Sequence, residues 1–576
     1  MSANQPIQTT RQRVTFKTCL GVASTALFCL PLLAQTFPAS HFSDNELLRQ
    51  QEQRQQRRQA QEPAPHVRLQ EPELADPTRL ATNEQPCFAI QKIVWNNPEP
   101  QAFSWLDEAI KGPDDSPLQK CLGAKGVALV IKRAQDALIA HGFVTSRVLA
   151  PPQNLSEGVL TLTLIPGRID AIRLTPTSNP RANLTHAIPA RAGDLLNLRD
   201  LEQGLENLQR VPTAQADIQI VPTEGAQPGQ SDLVVAWQQG FPLRANLSLD
   251  DSGSQSTGKY QSNLTFSYDH WWTANDLFYI TVGRNVHGAA PYGTNNQALH
   301  YSIPWGYNLW ALTTYQNSYY QTVSGPTQSY VYSGNSQGYA LEFTRVVQRN
   351  AIGKTTLQAQ AFMQESRNSI DDVEIELQHR RVGGWQLGLD HKTALGAATL
   401  EASLKRKRGT GAFGSISAPE EAYGKGTSRF ELSTAQVNLT WPFSWGAQPW
   451  RYSAVWRGQA NHTPLSPQER FAIGGRYSVR GFDGENTLSA ERGWYWRNEL
   501  SMLLGAAQIY LGLDAGEVGG PSSDLLSGRR LVGAVLGVRG QLGQLQYELF
   551  LSGPIQQPAT FKTASTVAGF SLNVSF

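Results

Sequence analysis

The chain is poor in charge, poor in cysteine and without any long apolar run. Charged residues are 17% of its 576 positions, below the roughly 25% usual in soluble proteins. No apolar run reaches the eighteen or so residues that a spanning helix needs, and the mean hydropathy is -0.35, which excludes a helical membrane protein. No catalytic motif stands out: there is no H-E-x-x-H, no metal-binding spacing of Cys or His, and the ten His are scattered. No nucleotide-binding motif appears either. These absences argue against an enzyme and imply no cofactor. Gly, Tyr, Trp, Ser and Gln are abundant instead, and a transmembrane β-barrel reconciles the two lists. Its strands alternate apolar and polar residues, so mean hydropathy stays modest while aromatics collect at the membrane interfaces.

Arg11, Arg13 and Lys17 precede an apolar core over 19–33. The pattern is that of a secretory signal peptide, residues 1–34, cleaved after Ala34. A membrane anchor fits less well, because the core is short and interrupted by Pro31. Cleavage removes three of 49 basic residues and none of 47 acidic ones, leaving 46 minus 47, or -1. Such a balance gives no electrostatic reason to expect nucleic acid as a partner. Two of the four cysteines leave with the signal. Cys87 and Cys121 remain, and in an oxidising compartment they read as one disulfide, the alternative being two buried free thiols.

In residues 35–61, Ser43 and Glu46 have the spacing of a capping box, followed by good helix formers that include Arg54 and Arg57. The expected helix, over 44–60, has only Leu47 and Leu48 as large apolar residues. A helix polar all round is solvated, unstable or enclosed in something polar. Residues 62–86 are proline-punctuated and read as an extended linker. From Cys87 the texture is globular. Strands and helices follow in the order β-α-α-β-β over 87–167, and a related pattern recurs over 168–239, so two small α+β domains stand in series. From 240 to the end, apolar and polar residues alternate. In the segment 243–250, Leu243, Ala245, Leu247 and Leu249 share one face, and Arg244, Asn246, Ser248 and Asp250 the other. Polar faces that carry Arg, Asp and Glu opposite lipid-like residues favour a barrel with an aqueous lumen. Strands of about ten residues would suffice.

One connection, 462–492, is long and glycine-rich, yet carries Phe471, Ile473, Tyr477, Val479 and Phe482. Disorder does not suit such residues, so the loop is expected to fold back into the lumen. A buried Arg480 would then need a carboxylate. In the strand around 509–517, Ile509, Leu511 and Leu513 face lipid, so Asp514 faces inward, with Gly512 and Gly516 leaving room beside it. Asp514 is therefore the expected partner of Arg480. By the same count Arg497 and Glu499 face inward too, and a solvated Arg480 is the simpler alternative.

These residues resemble the outer-membrane transporters of two-partner secretion, the TpsB family. Val479-Arg480-Gly481-Phe482 matches the family's loop motif, and Tyr510-Leu-Gly-Leu-Asp514-Ala-Gly its following strand motif. Cys87-Phe, Cys121 and Pro166-Gly-Arg168 resemble its first POTRA domain, and Asn197-Leu-Arg-Asp-Leu-Glu-Gln-Gly204 its second. The resemblance implies a barrel of about sixteen antiparallel strands, two periplasmic POTRA domains, a plug helix in the pore and the motif loop tucked inside. It implies a partner: a large exoprotein (adhesin, haemolysin or contact-dependent toxin) recognised by an N-terminal secretion domain and moved without ATP, with outer-membrane lipids around the barrel. Activation of the cargo on passage is a further role that the resemblance leaves open. Asn197, Arg199 and Leu201 become candidates for contact with that substrate, by β-augmentation at exposed strand edges. An assembly factor or insertase of the same superfamily is the alternative function.

Overall fold

A computed structural model describes residues 39–576 apart from 63–65, 70–78, 82–83, 113, 224–226, 287–290 and 326. The expected signal peptide lies outside the described residues, as does part of the linker.

From Leu243 to Ser575 the chain forms a closed barrel in which each strand pairs antiparallel with the next. Seventeen strands take part, but Val373–Glu374 is a two-residue ribbon at a hairpin tip and its neighbours pair directly across it. Sixteen strands therefore make the wall. The last strand, Val567–Ser575, closes on the first, Leu243–Asp250. Phe576 and Ala245 exchange backbone hydrogen bonds beyond that register, at 3.1 and 2.8 Å. Closure leaves no edge unpaired in lipid, which is why a sheet can cross a membrane at all.

The two faces follow the alternation. Leu511 and Leu513 are 59% and 54% exposed toward the bilayer, while Asp514 between them and the lumen is 0% exposed. Trp305, Trp441 and Trp445 stand exposed near the short periplasmic turns, where an amphipathic ring is at home. Ten residues per strand proves too few. Ser329–Arg349 has 21 residues and Gly353–Ile370 has 18. The polar Ser, Gln, Asn and Tyr repeats of this region keep pairing beyond the bilayer as a ribbon outside the cell. The spacing Gly334-x-Ser336-x-Gly338, which fits a nucleophile motif by letters, sits in the middle of that strand. It is flat sheet, paired with Asn317 and Ser366, rather than the strained strand-to-helix turn that a nucleophile needs.

The first POTRA domain packs helix Ala124–Ala140 through Val130, Ala134 and Leu138 onto a sheet of Lys92–Asn96, Val159–Ile165 and Arg147–Leu149. Cys87 and Cys121 are disulfide-bonded, with Cα atoms 5.2 Å apart. The second POTRA domain packs helix Leu198–Leu208 through Leu201, Leu205 and Leu208 onto Arg168–Leu174, Gln230–Gln239 and Ala214–Pro222. Asn197 caps this helix, accepting from Arg199 N at 2.8 Å.

That second domain is mounted directly on the periplasmic turns of the barrel. Asn207 Nδ2 donates to Gly306 O at 2.8 Å, and Tyr307 Oη donates to Asp200 at 2.5 Å. Arg181 donates to His270 O at 2.8 Å, and Thr213 N and Oγ1 both donate to Asp269 at 3.2 and 2.9 Å.

Candidate functional site

The lumen holds two inserted pieces, and the first is the loop over 462–492. It is more ordered than its glycine content suggests, because Phe471–Ile473 and Leu488–Ala490 pair as a short hairpin. Phe471, Ile473, Val479, Phe482 and Leu488 form a buried cluster with Tyr495, Val518 and Leu531 of the wall and Phe561 of an outer loop. This local core is what keeps a glycine-rich segment in place.

Arg480 lies at its tip. Its Nε donates to Asp514 Oδ2 at 2.7 Å, its Nη2 to Oδ1 at 3.0 Å, and its backbone N to Oδ2 at 3.0 Å. The bidentate geometry suits a guanidinium and a carboxylate. The rivals are present as well. Glu499 accepts from Arg480 Nη1 at 2.7 Å and from Arg539 at 2.6 Å, while Arg497 stands 3.9 Å from Asp514 and donates to Tyr477 O. Arg480 is thus shared between two acids. The glycines around it are steric requirements. A Cβ on Gly512 would sit 2.5 Å from Arg480 Nη2, and one on Gly516 would sit 2.8 Å from Val479 Cγ2. Gly481 has φ +111 and lies against the backbone of Gly533 and Gly553, an approach open only to residues without side chains.

The second piece is a helix, Ala39–Gln61, that runs through the lumen. It begins four residues before Ser43, so Ser43 lies within it and the expected capping box does not cap it. Glu46 instead accepts from Arg49 at 2.8 Å, Gln50 at 3.1 Å and Thr257 at 3.2 Å. Arg54 stacks 3.8 Å over the Tyr315 ring, and Arg57 donates to Asn296 at 2.9 Å and to Asn263. Arg58, lower down, reaches Glu342 at 3.4 Å. The helix also touches the loop: Arg49 Nη2 donates to Gly484 O at 2.6 Å, and Thr487 donates to Asn45 at 2.7 Å. A cavity of about 840 Å³ runs beside it, lined by polar residues such as Gln360, Lys405 and Lys407.

The substrate-contact candidates of the second POTRA domain are placed otherwise than expected. Leu201 is in the domain core, and the buried Arg199 donates to Glu202 at 2.8 Å. Asn197, besides capping, donates to His141 O of the first domain at 3.1 Å. Among the described residues none of the three lines an open groove: Leu201 turns to its own core, Arg199 to Glu202 and Asn197 to the first domain. The outward face of their helix carries residues the sequence did not single out. Glu202 and Glu206 receive Arg349 at 3.0 Å each, and Glu206 receives Lys354 at 2.7 Å. Linker residues 66–69 lie across the same face. His66, the first of them, is pushed down to about 4 by burial, helped by Lys392, Arg68 and Lys354. Glu202 and Glu206 one turn apart were the signal available, but their partners are more than 140 residues away in sequence.

Three family models match this chain in the order of these parts. Residues 88–167 match the POTRA domain of ShlB type, and 168–222 match a POTRA domain. Residues 229–540 match "Haemolysin secretion/activation protein ShlB/FhaC/HecB". The outer membrane transporter CdiB-2 of Burkholderia pseudomallei is 35% identical, over 92% of this chain and 94% of its own. The structure of CdiB from Acinetobacter baumannii superposes with a TM-score of 0.82 at 32% identity, covering 94% of this chain and 98% of that one. CdiB from Escherichia coli gives 0.82 at 26% identity, over 93% and 99%. With its barrel and both periplasmic domains matched, this chain belongs to the ShlB/FhaC/HecB family of haemolysin secretion/activation proteins, the outer-membrane transporters of two-partner secretion.

Proposed function

We propose that this protein captures one unfolded exoprotein in the periplasm and passes it through the barrel to the cell surface, the helix Ala39–Gln61 acting as a plug that leaves first. The observation that carries this reading is how the helix is held. It contributes no apolar stripe, and its contacts are hydrogen bonds and ion pairs to a polar wall. Its ion pair to the wall, between Arg58 and Glu342, is long at 3.4 Å and the arginine is only partly buried, so water can take over such contacts when the helix moves. A helix about 10–12 Å across is thereby removable without dismantling a core. An assembly factor has no evident use for such an occupant.

The cargo is a large secreted protein with an N-terminal secretion domain, of the adhesin, haemolysin or contact-dependent toxin kind. Direction comes from its folding outside, since an extended chain in the pore cannot refold until it leaves. Deletion of residues 39–61 should raise single-pore conductance in planar bilayers several-fold, with barrel heat-modifiability retained. Unchanged conductance would show that the helix does not block the pore.

A further inference from the structure

The linker between the plug helix and the first POTRA domain is gripped by its main chain. Val67 N donates to Glu206 Oε1 at 3.1 Å and Leu69 N to Glu202 Oε1 at 3.0 Å, while Val67 O accepts from Arg349 Nη2 at 2.7 Å. The spacing has a geometric reason. Same-side N–H groups of an extended chain recur every two residues, about 6.6 Å. Acceptors one helical turn apart, at i and i+4, rise about 6 Å. Glu202 and Glu206 are so spaced, and a helix that presents them can hold any extended chain lying antiparallel to it. Val67 and Leu69 pack their side chains against the core of the second POTRA domain, while Arg68 between them is exposed. The site therefore reads two main-chain donors, one main-chain acceptor and two apolar side chains at alternate positions. Those are the properties of a β-prone segment in general, and nothing in these contacts is particular to the linker.

Resting on the secretion reading above, we propose that the linker is a built-in surrogate for substrate. Extended segments of the exported protein with apolar residues at i and i+2 bind the Glu202–Glu206 face by evicting residues 66–69. The carboxylates keep Arg349 and Lys354 as counter-charges throughout, so eviction strands no buried charge. Only residues 62–65 separate the gripped segment from the end of the plug helix at Gln61. Eviction thus frees the tether that helps keep the plug seated, which makes substrate arrival the event that opens the pore.

The test uses the full chain in lipid nanodiscs and labelled synthetic peptides read by fluorescence anisotropy. The probes are a twelve-residue alternating Thr-Val peptide and its analogue N-methylated at two successive valines, which lacks the N–H groups the carboxylates accept. The Val67→Asp/Leu69→Asp protein, with its linker released, should bind the parent peptide at least tenfold more tightly than wild type. Glu202→Gln in that background should weaken binding by a similar factor, and the N-methylated analogue should bind neither protein. Equal affinity for wild type and the released variant, or equal binding of the two peptides, would overturn the proposal. If the double variant fails to insert, hydrogen exchange of residues 66–69 in wild type decides. Saturating parent peptide should raise it at least tenfold and the analogue should leave it alone; no rise with the parent overturns eviction. None of these readouts involves export, so a protein that shows them yet exports nothing would sink only the secretion reading.

Discussion

Replacing Asp514 should release the inserted loop, and the size of the effect can be worked from the contacts. Asp514 is 0% exposed and accepts three hydrogen bonds from Arg480, at 2.7, 3.0 and 3.0 Å, and one from Asn498 N at 3.3 Å. Removing one partner of a buried ion pair costs about 3–5 kcal/mol, mostly because the other charge is stranded. Here Glu499 still holds Arg480 Nη1 at 2.7 Å, so Asp514→Ala should fall at the lower end, about 3 kcal/mol. That is roughly a hundredfold in the docked-to-released ratio, at about 1.4 kcal/mol per decade. Asp514→Asn keeps an oxygen for the backbone N–H groups and loses the charge, so about 1.5–3 kcal/mol is expected.

The assay is hydrogen exchange of the amides in 471–490, measured in nanodiscs, with Arg480→Ala and the double variant completing a cycle. A coupling energy of about 2 kcal/mol or more between the two sites would mark a direct pair. Strand amides such as those of Gln448–Asn461 should stay protected throughout, showing the barrel intact. Loop exchange within threefold of wild type in Asp514→Ala would refute the reasoning. It would mean that the apolar cluster alone holds the loop.

Three further outcomes are expected. Gly533→Ala should undock the loop as far as Asp514→Ala does, because the added methyl would overlap the Arg480 carbonyl; protease sensitivity near Arg480 would report it, and unchanged sensitivity would show the loop has slack. Cys121→Ser should lower the stability of the first POTRA domain by about 3–4 kcal/mol, the loop-closure value for a separation of 34 residues, read as earlier thermal loss of its circular dichroism signal while the barrel persists. Docking of the linker should weaken on acidification: the docked His66 is held at about 4 against an ordinary 6.5, so the released state takes up the proton first. Docking is therefore full above pH 6.5 and declines toward pH 4; protection of the Val67 and Leu69 amides, corrected for intrinsic exchange, should show this, and His66→Ala should abolish the pH dependence.

What was legible in the sequence had a short-range or periodic code. Alternation over 243–250 or 509–513 fixes which residues face lipid, because the side-chain period of a strand is two whatever the strand pairs with. That parity placed Asp514 inward without knowledge of its neighbours, and the glycines at 512 and 516 marked where a second surface would come close. Strand length had no such code. The residues that extend Ser329–Arg349 outside the bilayer are mostly Ser, Tyr, Gly, Asn and Gln, with no continuous apolar face to mark where the strand ends. The misplaced helix start has a similar cause. Ser43 and Glu46 match a local rule, but a helix enclosed by a polar wall need not stop where local propensity would stop it, and Thr257 takes Glu46 for another purpose. The clasp of Glu202, Glu206, Arg349 and Lys354 with the linker has only the two glutamates one turn apart as a local sign, and nothing local that names their partners. It exists only because one helix face, one barrel turn and one extended segment meet.

The two pieces inside the lumen are held by different physics, and that difference orders them. The loop is fixed by an apolar cluster and by a buried bidentate pair against a wall of glycines. Loosening it opens a cavity and leaves charges short of partners, each a matter of kilocalories. The helix Ala39–Gln61 is fixed mainly by polar side chains beside a cavity of about 840 Å³, and its contacts with the loop end on a backbone carbonyl at Gly484 and the side chain of Thr487. Both of those groups can turn to water when the helix withdraws. The loop's anchor at Asp514 does not depend on them. On the proposed function, withdrawal of the helix would therefore widen the pore while the loop stays docked, with Arg480 still on its two carboxylates. A chain passing outward would then meet a lumen with one wall already furnished by the loop, rather than an empty barrel.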